Sequence, residues 1–277
     1  MKSFAKFLFL SVTLLLIFGV LAAGVIGYGF YHFGRGLPEY DQLTKYEPPV
    51  MTRVHAADGG LIAEYAHQRR LFVPIDTIPD IVKQAFIAAE DQNYYSHPGV
   101  DFQGIARAFF TNIKNIGQGR RPVGASTITQ QVAKNMLLTN EVSYERKIKE
   151  AILAFRIERA LPKSRILELY LNEIYLGAGA YGVAAASMRY FGKSLDELEP
   201  GEVAYLAGLP KAPSTYHPVR DREEATTRRN IVLQRMAEER LIDQATLAAA
   251  RAKPLLAPGL EKDRQQPAPW FAEQVRR

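Results

Sequence analysis

No cysteine occurs anywhere in the 277 residues. A disulfide framework and a thiolate metal site are therefore both excluded. Zinc-finger spacing is absent, and no aromatic-rich RNA-binding signature is present, so nucleic acid is the weaker choice of partner. Internal repeats are absent as well. Also missing is any Asp, Glu, Lys or Arg from Phe7 to Gly34. Such a run exceeds the ~20 residues that a membrane-spanning helix needs. It is also longer than the ~7–15-residue apolar core of a cleaved signal peptide, and no clean cleavage site ends it. A retained anchor is the expectation. Lys2 and Lys6 precede the run, and the positive-inside rule keeps them in the cytoplasm and the remainder outside it.

What is present is a basic chain with a sizeable core. Lys and Arg number 35 against 29 Asp and Glu, a net charge of +6, and hydrophobic residues make up 47%. The charge suits an anionic partner such as phosphate or acidic lipid. Pro38, Pro48 and Pro49 mark a juxtamembrane linker after Arg35. Val54 to Tyr65 reads as two short strands around Asp58-Gly59-Gly60. From Pro79 onward helical spacing dominates. Ile81, Val82, Ala85, Phe86 and Ala89 form one apolar face, in a helix ending near Asp91. Further helices are expected from about Phe102, Ser126, Tyr144, Ser164 (as N-cap) and Ala180, and over 196–209 and 222–240. Gly117 to Pro122 reads as a flexible basic loop, and the proline-rich stretch after Ala252 as a linker.

Several segments carry candidate chemistry. Gly124 to Asn135 places Thr127, Gln131, Lys134 and Asn135 on one helical side, with Ile128, Val132 and Met136 toward another. That polar stripe suits the wall of a cleft. The same residues also read as an N-capped surface helix with Ser126 or Thr127 as the cap. Glu90 closes an apolar helix, where desolvation and the negative end of the helix dipole both raise a carboxyl pKa. A general base working near neutrality needs such tuning. Asp91 and His97 stand close enough in sequence to orient it. A solvated Glu-Asp pair before a turn at Pro98-Gly99 is the other reading. Arg146, Lys147 and Glu150 are i, i+3 and i+4 neighbours. They form either an exposed salt-bridged face or a carboxylate held among cations that grip an anionic leaving group. In Lys163 to Asn172, Ile166, Leu167, Tyr170 and Leu171 read as packing, and Glu168 and Asn172 as ties between helices. Phe102 to Lys114 sets Phe109, Phe110 and Ile113 beside Arg107 and Lys114, as an amphipathic element at a bilayer or a helix packed in the core.

Taken together, these segments resemble the glycosyltransferase family 51 domain of peptidoglycan polymerases, the N-terminal part of class A penicillin-binding proteins. The matching features are Glu90-Asp91…His97-Pro-Gly99, Gly124-Ala-Ser-Thr-Ile-Thr-Gln-Gln131, Arg146-Lys147…Glu150, Ile166 to Asn172, and Gly182 with Tyr190-Phe-Gly-Lys193. They occur in the family's order. Tyr94 stands where the family usually has Phe.

The resemblance implies a mainly α, lysozyme-like glycosyltransferase domain with a small β element, preceded by one N-terminal transmembrane helix. It places the anchor in residues 1–34, a linker in 35–53, the glycosyltransferase domain in 54–252 and a linker toward an absent C-terminal domain in 253–277. It implies polymerisation of lipid II into β-1,4-linked glycan at the outer face of the cytoplasmic membrane, with displacement of undecaprenyl pyrophosphate. Carried onto matching positions, Glu90 is the general base and Glu150 stabilises the leaving pyrophosphate, directly or through a divalent cation (Mg or Mn). Metal ligands stay unassigned. Arg146, Lys147 and Lys134 bind phosphate. Thr127, Gln131 and Asn135 hold the donor sugar or diphosphate, and Asp91 and His97 support the Glu90 region. The implied partners are lipid II, the growing strand, the membrane and other cell-wall synthesis proteins.

Two other classes of function use the same residues. A lytic enzyme would cut glycan with Glu90 and Glu150, but a neutral glycan gives no reason for the cations around Glu150. A non-catalytic scaffold leaves the polar stripe unexplained. The sole Ser-x-x-Lys, Ser3 to Lys6, precedes the apolar run, and neither Lys-Thr-Gly nor Lys-Ser-Gly occurs, so no penicillin-binding activity is expected of this polypeptide.

Overall fold

The computed structural model describes residues 2–39, 43, 46, 52–55, 61–65, 69–117, 124–139 and 143–262. The turn expected at Asp58-Gly59-Gly60, most of the basic loop after Gly117 and the last part of the proline-rich tail lie outside the described residues.

Helix α1 (Lys2–Gly34) contains the uncharged run. Its segment Phe9–Gly34 has a mean hydropathy of 2.6 and is long and apolar enough to cross a membrane. The body grips its C-terminal end. Arg156 Nη2 donates to the Gly34 carbonyl at 3.1 Å, satisfying an acceptor that a helix end leaves open. The Phe30 ring lies 6.3 Å from that of Phe155, and Phe155 stacks in turn on Phe102 at 6.2 Å.

Strands β1 (Thr52–His55) and β2 (Leu61–Tyr65) pair antiparallel, with Thr52 opposite Tyr65, as alternation in the sequence implies. A second pair is parallel and non-local: β3 (Arg69–Arg70) lies against β4 (Ala180–Tyr181). The helix expected from Ala180 therefore begins later, as α7 (Val183–Phe191). Gly182 makes the break. Its φ is +79°, and an added Cβ would stand 2.5 Å from the Asn172 carbonyl oxygen.

The remaining helices build the body. They are α2 (Asp80–Glu90), α3 (Phe102–Lys114), α4 (Ile128–Leu137), α5 (Tyr144–Ala160), α6 (Lys163–Glu173), α8 (Pro200–Gly208), α9 (Arg222–Glu238), α10 (Gln244–Ala252) and α11 (Pro258–Lys262). The fold is mainly α with a small β element, as expected. Helices α6 and α8 are buried nearly all round, through Ile166 to Asn172 and Val203 to Gly208, and the other helices pack about them. Val82, Ala85, Phe86 and Ala89 of α2 enter that core by helical spacing.

Other boundaries also differ from expectation. Ser164 lies inside α6, whose N-cap is Pro162. Helix α4 starts at Ile128, not Ser126, because Thr127 caps it. The stretch 196–209 divides into a 3₁₀ turn (Leu195–Glu197) and α8, which has a proline in its first turn. Helices α10 and α11 were not anticipated. Asp243 starts α10 by accepting the Thr246 N–H at 2.7 Å, and α11 falls inside the stretch read as linker.

Helix α3 buries only Ala108. Phe102, Ile105, Phe109, Phe110 and Ile113 are exposed, which rules out the core-packed reading of this segment.

Candidate active site

Glu90 is the last residue of α2, and its side chain is 13% exposed. Gln131 Nε2 of α4 donates to Glu90 Oε2 at 2.9 Å, and Arg228 Nη2 of α9 lies 3.6 Å from Oε1. Arg235, also on α9, donates from Nη1 to the Ala89 carbonyl at 2.6 Å. A cation there meets the negative end of α2. Burial pushes the Glu90 carboxyl above its ordinary range, against the opposing pull of Gln131, Arg228, Arg235 and Lys211.

Asp91, the C-cap of α2, is buried and turns away from Glu90's partners. Its Oδ1 and Oδ2 lie 2.9 and 3.0 Å from His97 Nε2, and Oδ2 accepts the Ile128 N–H at 2.9 Å. The Gly99 N–H donates to His97 Nδ1 at 3.1 Å, so the proton sits on Nε2 and is donated to Asp91. One carboxylate thus ties the end of α2 to the loop after it and to the start of α4. Gly99 has φ +99°, and a Cβ there would meet the Ala154 carbonyl oxygen at 2.7 Å.

Thr127 belongs to the same framework. Its hydroxyl accepts the Gln130 N–H at 3.1 Å and donates to the Gly99 carbonyl at 2.6 Å, while Gln130 Oε1 accepts the Thr127 N–H at 3.0 Å. The residue is 1% exposed. The resemblance has Thr127 holding the donor sugar or diphosphate; in the free protein its hydroxyl is engaged within the fold. Tyr94 is accommodated where the family usually has Phe, because its hydroxyl donates to the Lys163 carbonyl at 2.7 Å.

Glu150 on α5 is buried. Lys147 Nζ lies 2.6 Å from Oε2, and Arg146 Nε lies 3.3 Å from Oε1 without hydrogen-bond geometry. Lys147 Nζ also donates to Ser126 Oγ at 2.8 Å, linking α5 to the segment before α4. The buried Arg146 Nε and Glu150 Oε1 are left without a hydrogen-bond partner. Such atoms are costly unless a ligand or water completes them.

These groups meet in one cavity of about 500 Å³. Glu90, Gln131, Lys134, Arg146, Lys147 and Glu150 line it, as the sequence suggested. So do Lys211, Arg228 and Arg235, which the sequence reading did not select. A second cavity of about 220 Å³ shares Glu90, Ser126 and Arg235 with the first and is lined further by Asp91, Thr127, Asn93, Asp101 and Arg107. His97 is buried behind Asp91 and lines neither cavity. Asn135 is exposed and also lines neither, so the structure does not bring it to the site. A local signal for Arg228 existed: it interrupts the buried stripe Ala225, Val232 and Met236 of α9 at a core position.

A family model described as transglycosylase matches residues 58–237. The chain belongs to the transglycosylase family. Curated relatives of this transglycosylase include penicillin-binding protein 1A of Rickettsia prowazekii (strain Madrid E), 48% identical over 271 residues, covering 98% of this chain and 34% of that protein. Penicillin-binding protein 1A of Escherichia coli (strain K12) is 44% identical over 277 residues, covering 100% of this chain and 32% of that protein. The crystal structure of penicillin-binding protein 1A from Haemophilus influenzae matches with 31% identity and a TM-score of 0.44, over 76% of this chain and 22% of that one. The chain spans about a third of the length of the curated relatives it matches. Among the described residues of the transglycosylase, no group of three or more His, Cys, Asp or Glu is arranged to hold a metal ion.

Proposed function

We propose that this transglycosylase polymerises lipid II into β-1,4-linked glycan, with Glu90 as general base. The observation that carries the reading is the position of Glu90. A largely buried carboxyl with a raised pKa stands where a cation-lined cavity meets a smaller second one. The growing strand's diphosphate occupies the cationic cavity, and the sugar of the incoming lipid II enters the second.

In this arrangement Glu90 takes the proton from the acceptor 4-hydroxyl as that oxygen attacks the donor's anomeric carbon. The bond from that carbon to the pyrophosphate oxygen breaks, the configuration inverts, and undecaprenyl pyrophosphate leaves with the bonding electrons. The donor already carries a good leaving group, so the enzyme supplies one base, positioning and charge neutralisation. Lys134, Arg146 and Lys147 neutralise the departing pyrophosphate from the wall of this cavity. Lys211 and Arg228 add positive charge to the same cavity.

A protein-held divalent cation does not fit. Glu150 Oε1 is a single buried oxygen flanked by Arg146 and Lys147, whereas Mg²⁺ and Mn²⁺ seek several oxygen ligands. No step here uses one. Helix α1 anchors the domain, and Lys2 and Lys6 orient it with the catalytic part on the extracytoplasmic side. The exposed aromatic row of α3 dips into the bilayer surface and admits the lipid.

Polymerisation of labelled lipid II by the purified protein in detergent, beside Glu90→Gln, tests the reading. Polymer from the wild type and none from the variant is the expected result. Shortening of preformed glycan by the wild type would favour a lytic enzyme instead.

A further inference from the structure

Tyr170 of α6 is an unexplained buried group in the core. It is 1% exposed, and its hydroxyl has no hydrogen-bond partner. The structure satisfies the comparable hydroxyls of Tyr94, Tyr190 and Tyr205, each of which donates to a backbone carbonyl. Burying a phenol hydroxyl without a partner is costly, and phenylalanine would fill the same space without that cost. The Tyr170 ring meets Phe86 of α2 edge-on at 6.3 Å. Phe86 and Glu90 are i, i+4 neighbours, so Tyr170 packs against the face of α2 that carries the base.

The surroundings of both groups are defined. Glu90 is faced by Gln131 from α4, by Arg228 and Arg235 from α9, and by Lys211. Tyr170 lies within electrostatic reach of Glu90 and Asp91 at the end of α2 and of Arg228 on α9. Asp91 is already engaged by His97 and the Ile128 N–H. Glu90 has one well-formed hydrogen bond, from Gln131. Gln131 also lines the cationic cavity, beside Lys134 and Glu150. Its amide therefore has two claimants, the base and a diphosphate-bearing ligand.

We propose that Tyr170 is a positioning residue for the base: when bound substrate draws the Gln131 amide away, the Tyr170 hydroxyl becomes the donor that holds the Glu90 carboxylate. This inference rests on the reading of Glu90 as general base. It assigns the hydroxyl a partner in the substrate complex that it lacks in the free enzyme.

Tyr170→Phe tests it, because the change removes only the hydroxyl. The rate at saturating lipid II and kcat/KM are followed as functions of pH for wild type and variant. A hydrogen bond to the ionised form favours that form. Its loss moves the acid limb of kcat upward by about one pH unit, making the variant about tenfold slower on that limb. The limb of kcat/KM, which reports the free enzyme, moves less. The melting temperature stays level or rises, which separates the effect from damaged packing. A kcat limb that coincides with the wild type overturns the proposal. Wild-type protein that makes no polymer overturns the base assignment itself, so the two failures are distinct.

Discussion

The Asp91 carboxylate joins three segments, and Asp91→Asn is the substitution that most directly tests the framework. Asp91 accepts from His97 Nε2 and from the Ile128 N–H, the latter at 2.9 Å, in a site 6% exposed to solvent. Asparagine keeps the shape but supplies one acceptor oxygen and one donating amide. One of the two N–H donors must then face another donor. A buried donor left without an acceptor costs about 1–3 kcal/mol. Hydrogen bonds to an ionised group are also about twice as strong as neutral ones, so the surviving bond weakens. The carboxylate's favourable placement at the N-terminus of α4 is lost with the charge. Together these give about 3 kcal/mol. For a domain of this size each kcal/mol lowers the melting temperature by about 2–4 °C, so a fall of roughly 6–12 °C is expected. Thermal unfolding in detergent, followed by circular dichroism, measures it. A fall below about 2 °C would refute the claim that this carboxylate clamps α2 to α4.

Two further outcomes follow from the same geometry. Burial holds the Glu90 carboxyl above its ordinary 4.5, so the folded chain binds that proton more tightly than the unfolded chain. Ionising Glu90 therefore costs stability as pH rises above 4.5, and the cost is complete once the folded carboxyl has lost its proton. Glu90→Gln should melt higher than wild type at neutral pH, with the difference disappearing as pH falls through that interval; an equal or lower melting temperature at neutral pH would contradict the burial argument. Thr127→Ala removes an N-cap and the donor to the Gly99 carbonyl, together about 2 kcal/mol, whereas Thr127→Ser keeps both. Calorimetry of the pair should show a destabilised alanine variant and a near-normal serine variant. Equal melting temperatures with weakened lipid II binding would return Thr127 to the substrate.

Residues whose role is set by helical spacing were legible before the structure. Val82, Ala85, Phe86 and Ala89 face the core, and Gln131 and Lys134 reach the same cavity because they lie on one side of a single helix. Arg146, Lys147 and Glu150 cluster for the same local reason. Thr127 belongs to the stripe by arithmetic, yet it is the cap, and a cap residue turns its oxygen back onto its own helix. Asn135 shows the opposite limit: spacing puts it on the side of Gln131, yet it is exposed and lines neither cavity. Lys211, Arg228 and Arg235 arrive from a region far along the chain, and only tertiary packing sets them against Glu90. The parallel pairing of Arg69–Arg70 with Ala180–Tyr181 is equally non-local. Asp243, by contrast, is a plain local start signal for α10.

The grip of Arg156 and Phe155 on the end of α1 makes the anchor a measuring rod. Phe155 and Arg156 lie on α5, the helix that also presents Arg146 and Glu150 to the cavity. Each residue of an α-helix advances the chain by about 1.5 Å and turns it by about 100°. Adding one residue ahead of Phe30 would therefore swing the preceding apolar helix around its axis while the seam on α5 stayed put. The apolar segment's rotation and height are thus indexed to the cation cluster, residue by residue. Once α1 is set in a bilayer, the elevation of Arg146 and Glu150 above it becomes a property of chain length, written into the count of residues between the first uncharged turn and Gly34.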